Sequence, residues 1–161
     1  MRAYNKQSMP KNKGPRRIGR RHAFQVLYGL NFVPVKGNEG LVRAFEASLS
    51  TGFGEEEGSR GREFAWELVS GVWERTEDLD KIITRFSRHW KIQRIAKVEL
   101  AILRLALFEI LFCKDTPPKV AINEAVELAK RFGDENSKNF VNGILDAAAK
   151  DLEKGEMQEL S

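Results

Sequence analysis

Four arginines carry the densest chemistry in the chain. Arg16, Arg17, Arg20 and Arg21 occupy positions i, i+1, i+4 and i+5. At about 100° per residue they lie near 0°, 100°, 40° and 140° around a helix axis, which makes one cationic arc. Guanidinium forks suit phosphate oxygens and stack on unpaired bases. On the same count Leu27 falls near 20°, Phe24 near 80° and Tyr28 near 120°, so the arc continues an apolar stripe. The expectation is a helix whose later turns face a core and whose first turns face an anion just beyond it. Cations at a helix N-terminus oppose the macrodipole at a cost of about 0.3–1 kcal/mol each, so stability alone would favour acids there. A solvated charged end that aids solubility is the alternative reading. A membrane-surface helix fits poorly, because bulky apolar partners are missing before residue 24.

The run Arg131-Phe-Gly-Asp-Glu-Asn-Ser-Lys-Asn-Phe140 is the second candidate. Two aromatics flank a turn that opens a helix, with Asn136 or Ser137 expected as its cap. The first amides of that helix would attract phosphate. Asn136, Lys138 and Asn139 add polar groups, and Phe132 and Phe140 could offer stacking faces to unpaired bases. Packing roles compete with this: Phe132 suits a helix C-cap and Phe140 lies on an apolar stripe. Gly133 stands where a C′ glycine belongs.

Catalysis finds no constellation. Cys113 ends an apolar run without an activating histidine, so a buried thiol is expected. One cysteine and the two histidines, His22 and His89, lie at no metal-ligand spacing. Gly52, Gly54, Gly58 and Gly61 lack phosphate-loop spacing and the Lys-Ser/Thr ending. No enzyme activity, cofactor or metal is expected.

Placing these residues falls to a chain of 161 residues, 42% hydrophobic and 31% charged, long enough for a real core. Residues 1–38 hold nine Lys or Arg and no acid; the rest holds 18 basic and 23 acidic side chains, a net of −5. The whole positive excess sits in one arm, which suggests a polyanionic partner. No apolar run follows the basic start, and the longest apolar stretch, Val98 to Cys113, carries Glu99, Arg104 and Glu109. No signal peptide or membrane span is expected, and the chain reads as a soluble cytoplasmic protein.

Periodicity predicts seven helices and no sheet, an all-α bundle. They fall from about 16 to an end at Pro34 and Gly37, at about 39–50, 62–75, 77–88 and 95–113, from just after Pro118 to Gly133, and at about 137–153. Pro34, Pro117-Pro118 and Gly133 separate some of them. The domain spans 16–155, with halves meeting near residue 76; residues 1–15 read as a basic disordered tail, 52–61 as a loop and 156–161 as a second tail. The fifth helix is apolar nearly all round, as a buried central helix must be. Internal pairing is favoured for its Arg104 and Glu109. Glu99, near its start, is expected to be more accessible.

Three segments stand out together: Arg16-Arg-Ile-Gly-Arg-Arg-His-Ala-Phe-Gln-Val-Leu-Tyr28, Val98-Glu-Leu-Ala-Ile-Leu-Arg-Leu-Ala-Leu-Phe-Glu109, and the run from Pro118 to Gly133 with Phe140-Val-Asn-Gly143. In this order they resemble the NusB family of bacterial transcription antitermination factors. The resemblance covers about residues 16–153. It implies an all-α fold of two helical halves and binding of boxA RNA in nascent transcripts together with ribosomal protein S10. The pair would join RNA polymerase and other Nus factors on ribosomal RNA operons. It assigns Arg17 and its neighbours, with Phe132, Phe140 and the polar turn between them, to RNA. Glu99 and Tyr28 match positions of the S10 interface. The family often carries an acid where this chain has Asn136, so retained or stronger RNA binding is expected. The RNA-recognition domain fused to ribosomal RNA cytosine methyltransferases is an alternative, although it needs a second catalytic domain. A helical DNA-binding regulator is another, and it would need a recognition face that the sixth helix, with Glu124, Glu127, Lys130 and Arg131, supplies poorly.

Overall fold

The computed structural model describes residues 13–52, 61–88 and 90–155. Most of the basic tail and of the 52–61 loop, the 156–161 tail and His89 lie outside them. Among the described residues there are seven α-helices and no strand. These are α1 (Lys13–Gly29), α2 (Gly37–Gly52), α3 (Arg62–Glu74), α4 (Thr76–Phe86), α5 (Lys97–Phe112), α6 (Pro118–Phe132) and α7 (Ser137–Glu153), with a 3₁₀ turn at Ile92–Arg94. The first helix begins three residues earlier than expected, at Lys13. Pro118 opens α6, where its fixed φ and missing N–H cost nothing.

The central helix is α5, which touches α1, α3, α4, α6 and α7. Every residue from Leu100 to Ile110 except Arg104 is buried, as its all-round apolar sequence requires. Its two inner charges are paired within the protein. Arg104 donates from Nε and Nη2 to the two carboxylate oxygens of Asp80 on α4, at 2.7 and 2.8 Å. Glu109, 1% exposed, receives Arg20 from α1.

A close crossing sets the position of α1. Gly61, at φ +82°, starts α3 in the left-handed region that glycine enters freely. A Cβ there would meet Pro15 O at 2.1 Å, and one on Gly19 would meet Gly61 O at 2.8 Å. The two glycines let α3 begin directly against the first turns of α1. That contact swings the Phe64 ring beneath Arg16 and Arg20, whose guanidinium carbons lie 4.6 and 5.3 Å from its centroid.

Candidate nucleic-acid interface

The four arginines of α1 part company. Arg20 is 5% exposed and donates from Nε to both oxygens of Glu109, at 2.9 and 3.0 Å. The expectation that it contacts RNA is corrected: this guanidinium is an internal ion-pair partner. The physical reason lies in its angle. Near 40° it points along the middle of the stripe that Leu27 and Phe24 bury, and α3 and α5 extend far enough to enclose it. The core therefore does not give way to solvent at this level of α1. It turns ionic, and the pair is tolerable because Nε and Nη2 of Arg20 meet the Glu109 carboxylate while the guanidinium lies over the Phe64 ring.

Arg16 is half-buried, donating from Nη1 to Thr116 Oγ1 at 3.0 Å above Phe64. Arg17 is exposed and forms a fork with Glu124 of α6: Nη2 to Oε1 at 2.9 Å and Nε to Oε2 at 3.2 Å. Its pKa is raised, first by the hydrogen bond and charge of Glu124 and further by Glu127. Arg21 is half-buried on the same side.

Side chains tie α1 to α6 in parallel. Arg17 meets Glu124, and seven residues on, the Phe24 ring meets Phe132 at 4.8 Å between centroids. A groove of about 370 Å³ runs between the two helices, lined by Arg17, Arg21, Glu124, Glu127 and Arg131 among others. An adjoining groove of about 480 Å³ adds Asn123 and Lys130 beyond the Arg17–Glu124 pair. The arginine segment and the start of the second segment, Arg131 and Phe132, thus border one strip. Seven to eight residues of helix make it about 10–12 Å long. Its cations are Arg17, Arg21, Lys130 and Arg131. Two acids lie among them, Glu124 against Arg17 and Glu127 against Lys130 at 3.2 Å.

The turn into α7 differs from expectation in its chemistry. Neither Asn136 nor Ser137 caps the helix through its side chain. Asp134 does: its Oδ1 accepts from Asn136 N at 2.9 Å and Ser137 N at 3.1 Å. A carboxylate therefore already holds the place where those amides would have attracted phosphate. The Ser137 hydroxyl accepts from Asp134 N at 3.0 Å and donates to Glu99 Oε1 at 2.8 Å. Gly133 is extended (φ −94°, ψ −171°) rather than left-handed, which corrects its reading as a C′ glycine. Glycine is required there by crowding, since a Cβ would lie 2.4 Å from Ser137 Oγ.

Asn136, Lys138 and Asn139 are exposed on this turn. Phe140 is partly buried against the core. Phe132 packs on Phe24, and the Arg131 guanidinium lies 5.4 Å from its centroid. Of the two aromatics proposed as stacking faces, each therefore has part of its ring committed to packing.

Tyr28 and Glu99 lie at the far end of α1. Tyr28 stacks on Phe24 at 5.9 Å and meets Phe32 edge-on at 5.1 Å. Phe32 and Val33 are 57% and 72% exposed, and Lys97 Nζ stands 4.8 Å over the Phe32 ring. Lys97 and Glu99 share the first turn of α5. Glu99 is half-buried, more open than Glu109, and accepts a hydrogen bond from the Ser137 hydroxyl. Phe32, Val33 and Lys97 are surface residues that sequence reasoning passed over; an apolar pair beside Pro34 was the available signal.

Elsewhere the chemistry is structural. Burial pushes the Cys113 thiol up to about 12, helped by Glu67 and Glu109. Burial lowers the pKa of His22, whose Nε2 lies 2.6 Å from Ser48 Oγ. No helix among the described residues is long and apolar enough to cross a membrane.

Residues 17–150 match the NusB family. Over 149 residues the chain is 54% identical to the transcription antitermination protein NusB of Oleidesulfovibrio alaskensis, covering 89% of this chain and 93% of that protein. Identity to the NusB protein of Desulfovibrio desulfuricans is 52% over 154 residues, covering 93% and 94%. Among solved structures, T. maritima NusB superposes with a TM-score of 0.73 at 37% identity, covering 89% of this chain and 98% of that one. A structure of antitermination factors NusB and NusE in complex with double-stranded RNA gives a TM-score of 0.67 at 30% identity, covering 84% and 96%.

Proposed function

The chain belongs to the NusB family, and from that membership we propose that it is a transcription antitermination factor that binds boxA RNA in nascent ribosomal transcripts. It does so together with ribosomal protein S10 and joins RNA polymerase and other Nus factors. Its work is binding, as befits a family of antitermination factors rather than enzymes.

The observation that carries this reading is the strip between α1 and α6, where Arg17, Arg21 and Arg131 border one groove. Phosphates following the strip would meet those guanidinium groups and Lys130. Unpaired bases would turn toward Phe132, Phe140 and the exposed Asn136, Lys138 and Asn139. Arg16 supports the strip from behind through Thr116 and Phe64. Asn136 in place of an acid leaves this turn with one negative charge fewer beside the phosphates. At the other end, Tyr28, Phe32, Lys97 and Glu99 form an apolar and charged surface suited to a protein partner, which we assign to S10. The relative solved with NusE and double-stranded RNA supports pairing an RNA surface with a protein surface.

Titration of labelled single-stranded boxA RNA, with and without S10, tests the proposal. Scrambled and double-stranded RNA serve as competitors. Weak binding alone, tightened by S10 and selective for the boxA strand, is expected. Equal binding of scrambled and boxA strands in the presence of S10 would overturn it.

A further inference from the structure

Arg17 is 62% exposed, yet its fork is already engaged by the two oxygens of Glu124. The carboxylate is the more sheltered partner, at 13% exposure. A phosphate would present the same two-oxygen geometry to the same N–H groups. Both anions cannot hold the Nε–Nη2 edge at once; while Glu124 holds it, the Nη1 side of the guanidinium is the part left to a phosphate. Glu127 lines the same groove, so an incoming phosphate also meets a second negative charge.

We infer that Glu124 is a built-in competitor for the Nε–Nη2 edge of Arg17, one that an RNA phosphate must displace to take that edge, and that it sets how tightly and how selectively the strip binds. The inference rests on the proposed contact between Arg17 and RNA. An isolated anion gains little from the exchange, because it replaces one carboxylate at one arginine. A strand gains more, because a phosphate at Arg17 comes with others at Arg21 and Arg131 along the same groove. The pair therefore discriminates against small anions and against partners that engage only the tip of α1. Glu124 lies 107 residues from Arg17 in sequence, and α6 brings it there because α1 and α6 run side by side.

The test is fluorescence anisotropy with a labelled single-stranded boxA RNA at fixed salt. The proteins are the full-length wild type, Arg17→Ala, Glu124→Gln, the double variant and Glu127→Gln. An exposed ion pair is worth little, so Glu124→Gln is expected to tighten binding by about two- to fivefold. The gain is expected to vanish when residue 17 is Ala. Glu127→Gln, whose carboxylate is not bonded to Arg17, is expected to give a smaller gain. Weaker binding by Glu124→Gln would mean that the carboxylate holds the fork ready for phosphate, and would overturn the inference. So would an equal gain in the Arg17→Ala background, which would reduce Glu124 to a general source of field. Unchanged affinity in Arg17→Ala alone would instead remove the RNA contact on which the inference stands. Inorganic phosphate as competitor gives a second readout: it is expected to displace RNA more readily from Glu124→Gln than from the wild type.

Discussion

Arg20→Ala and Arg17→Ala, one turn apart on α1, should fail in opposite ways. Removing Arg20 leaves Glu109 buried without its cation, at 1% exposure. Breaking a buried pair from one side costs about 3–5 kcal/mol. For a protein of this size each kcal/mol moves the thermal midpoint by about 2–4 °C, so the midpoint should fall by roughly 6–20 °C. Loss of the guanidinium from the Phe64 face is part of that figure rather than an addition to it. Removing Arg17 breaks an exposed pair worth about 0–1 kcal/mol, a shift of no more than about 4 °C. Circular dichroism melts of the two variants provide the comparison, followed by RNA titrations at a temperature where both are folded. Arg20→Ala should then bind RNA nearly as the wild type does, and Arg17→Ala should bind more weakly. A stable Arg20→Ala protein with a large loss of RNA affinity would refute the reasoning and return Arg20 to the surface.

Asp134→Ala removes the acceptor of two amides at the start of α7 and should lower stability by about 0.5–2 kcal/mol in urea melts, with Asn136→Ala much milder. His22 is held below its ordinary pKa of 6.5 by burial and by Arg62. The unfolded chain therefore takes up a proton below about pH 6.5 that the folded one refuses, and stability must fall as pH drops through that value. His22→Gln should flatten that part of the stability-against-pH curve. The Cys113 thiol, pushed up to about 12, should resist iodoacetamide at pH 8 in the native protein and react promptly in guanidinium, as a mass-spectrometric time course would show.

The helices were legible because their signals are local. Phe24 and Leu27, Leu79, Ile82 and Ile83, and Val141, Ile144 and Leu145 mark faces that the bundle buries. Pro34 and Pro117-Pro118 mark the breaks between helices. Pairing was harder to read, since Arg20 and Glu109 are separated by 89 residues and no spacing rule connects them. A hint was nonetheless present. A charge lying on the same face as Leu27 and Phe24 needs a buried partner, and Glu109 was the inward acid awaiting one. The Asp134 cap was local and still missed, because Asn136 and Ser137 stood closer to the helix start and are equally good caps by type. The Arg17–Glu124 fork depends on how α6 lies along α1, which sequence periodicity does not specify.

The salt dependence of boxA RNA affinity tests the central claim most directly. With contacts from Arg17, Arg21, Lys130 and Arg131, each contributing about 0.7 for a single strand, log affinity should fall with log salt at a slope near −3. In the Arg17→Ala/Arg131→Ala variant the slope should shrink to about −1.5. The same slope in both proteins would contradict the account, because the RNA would then be held somewhere other than the strip between α1 and α6.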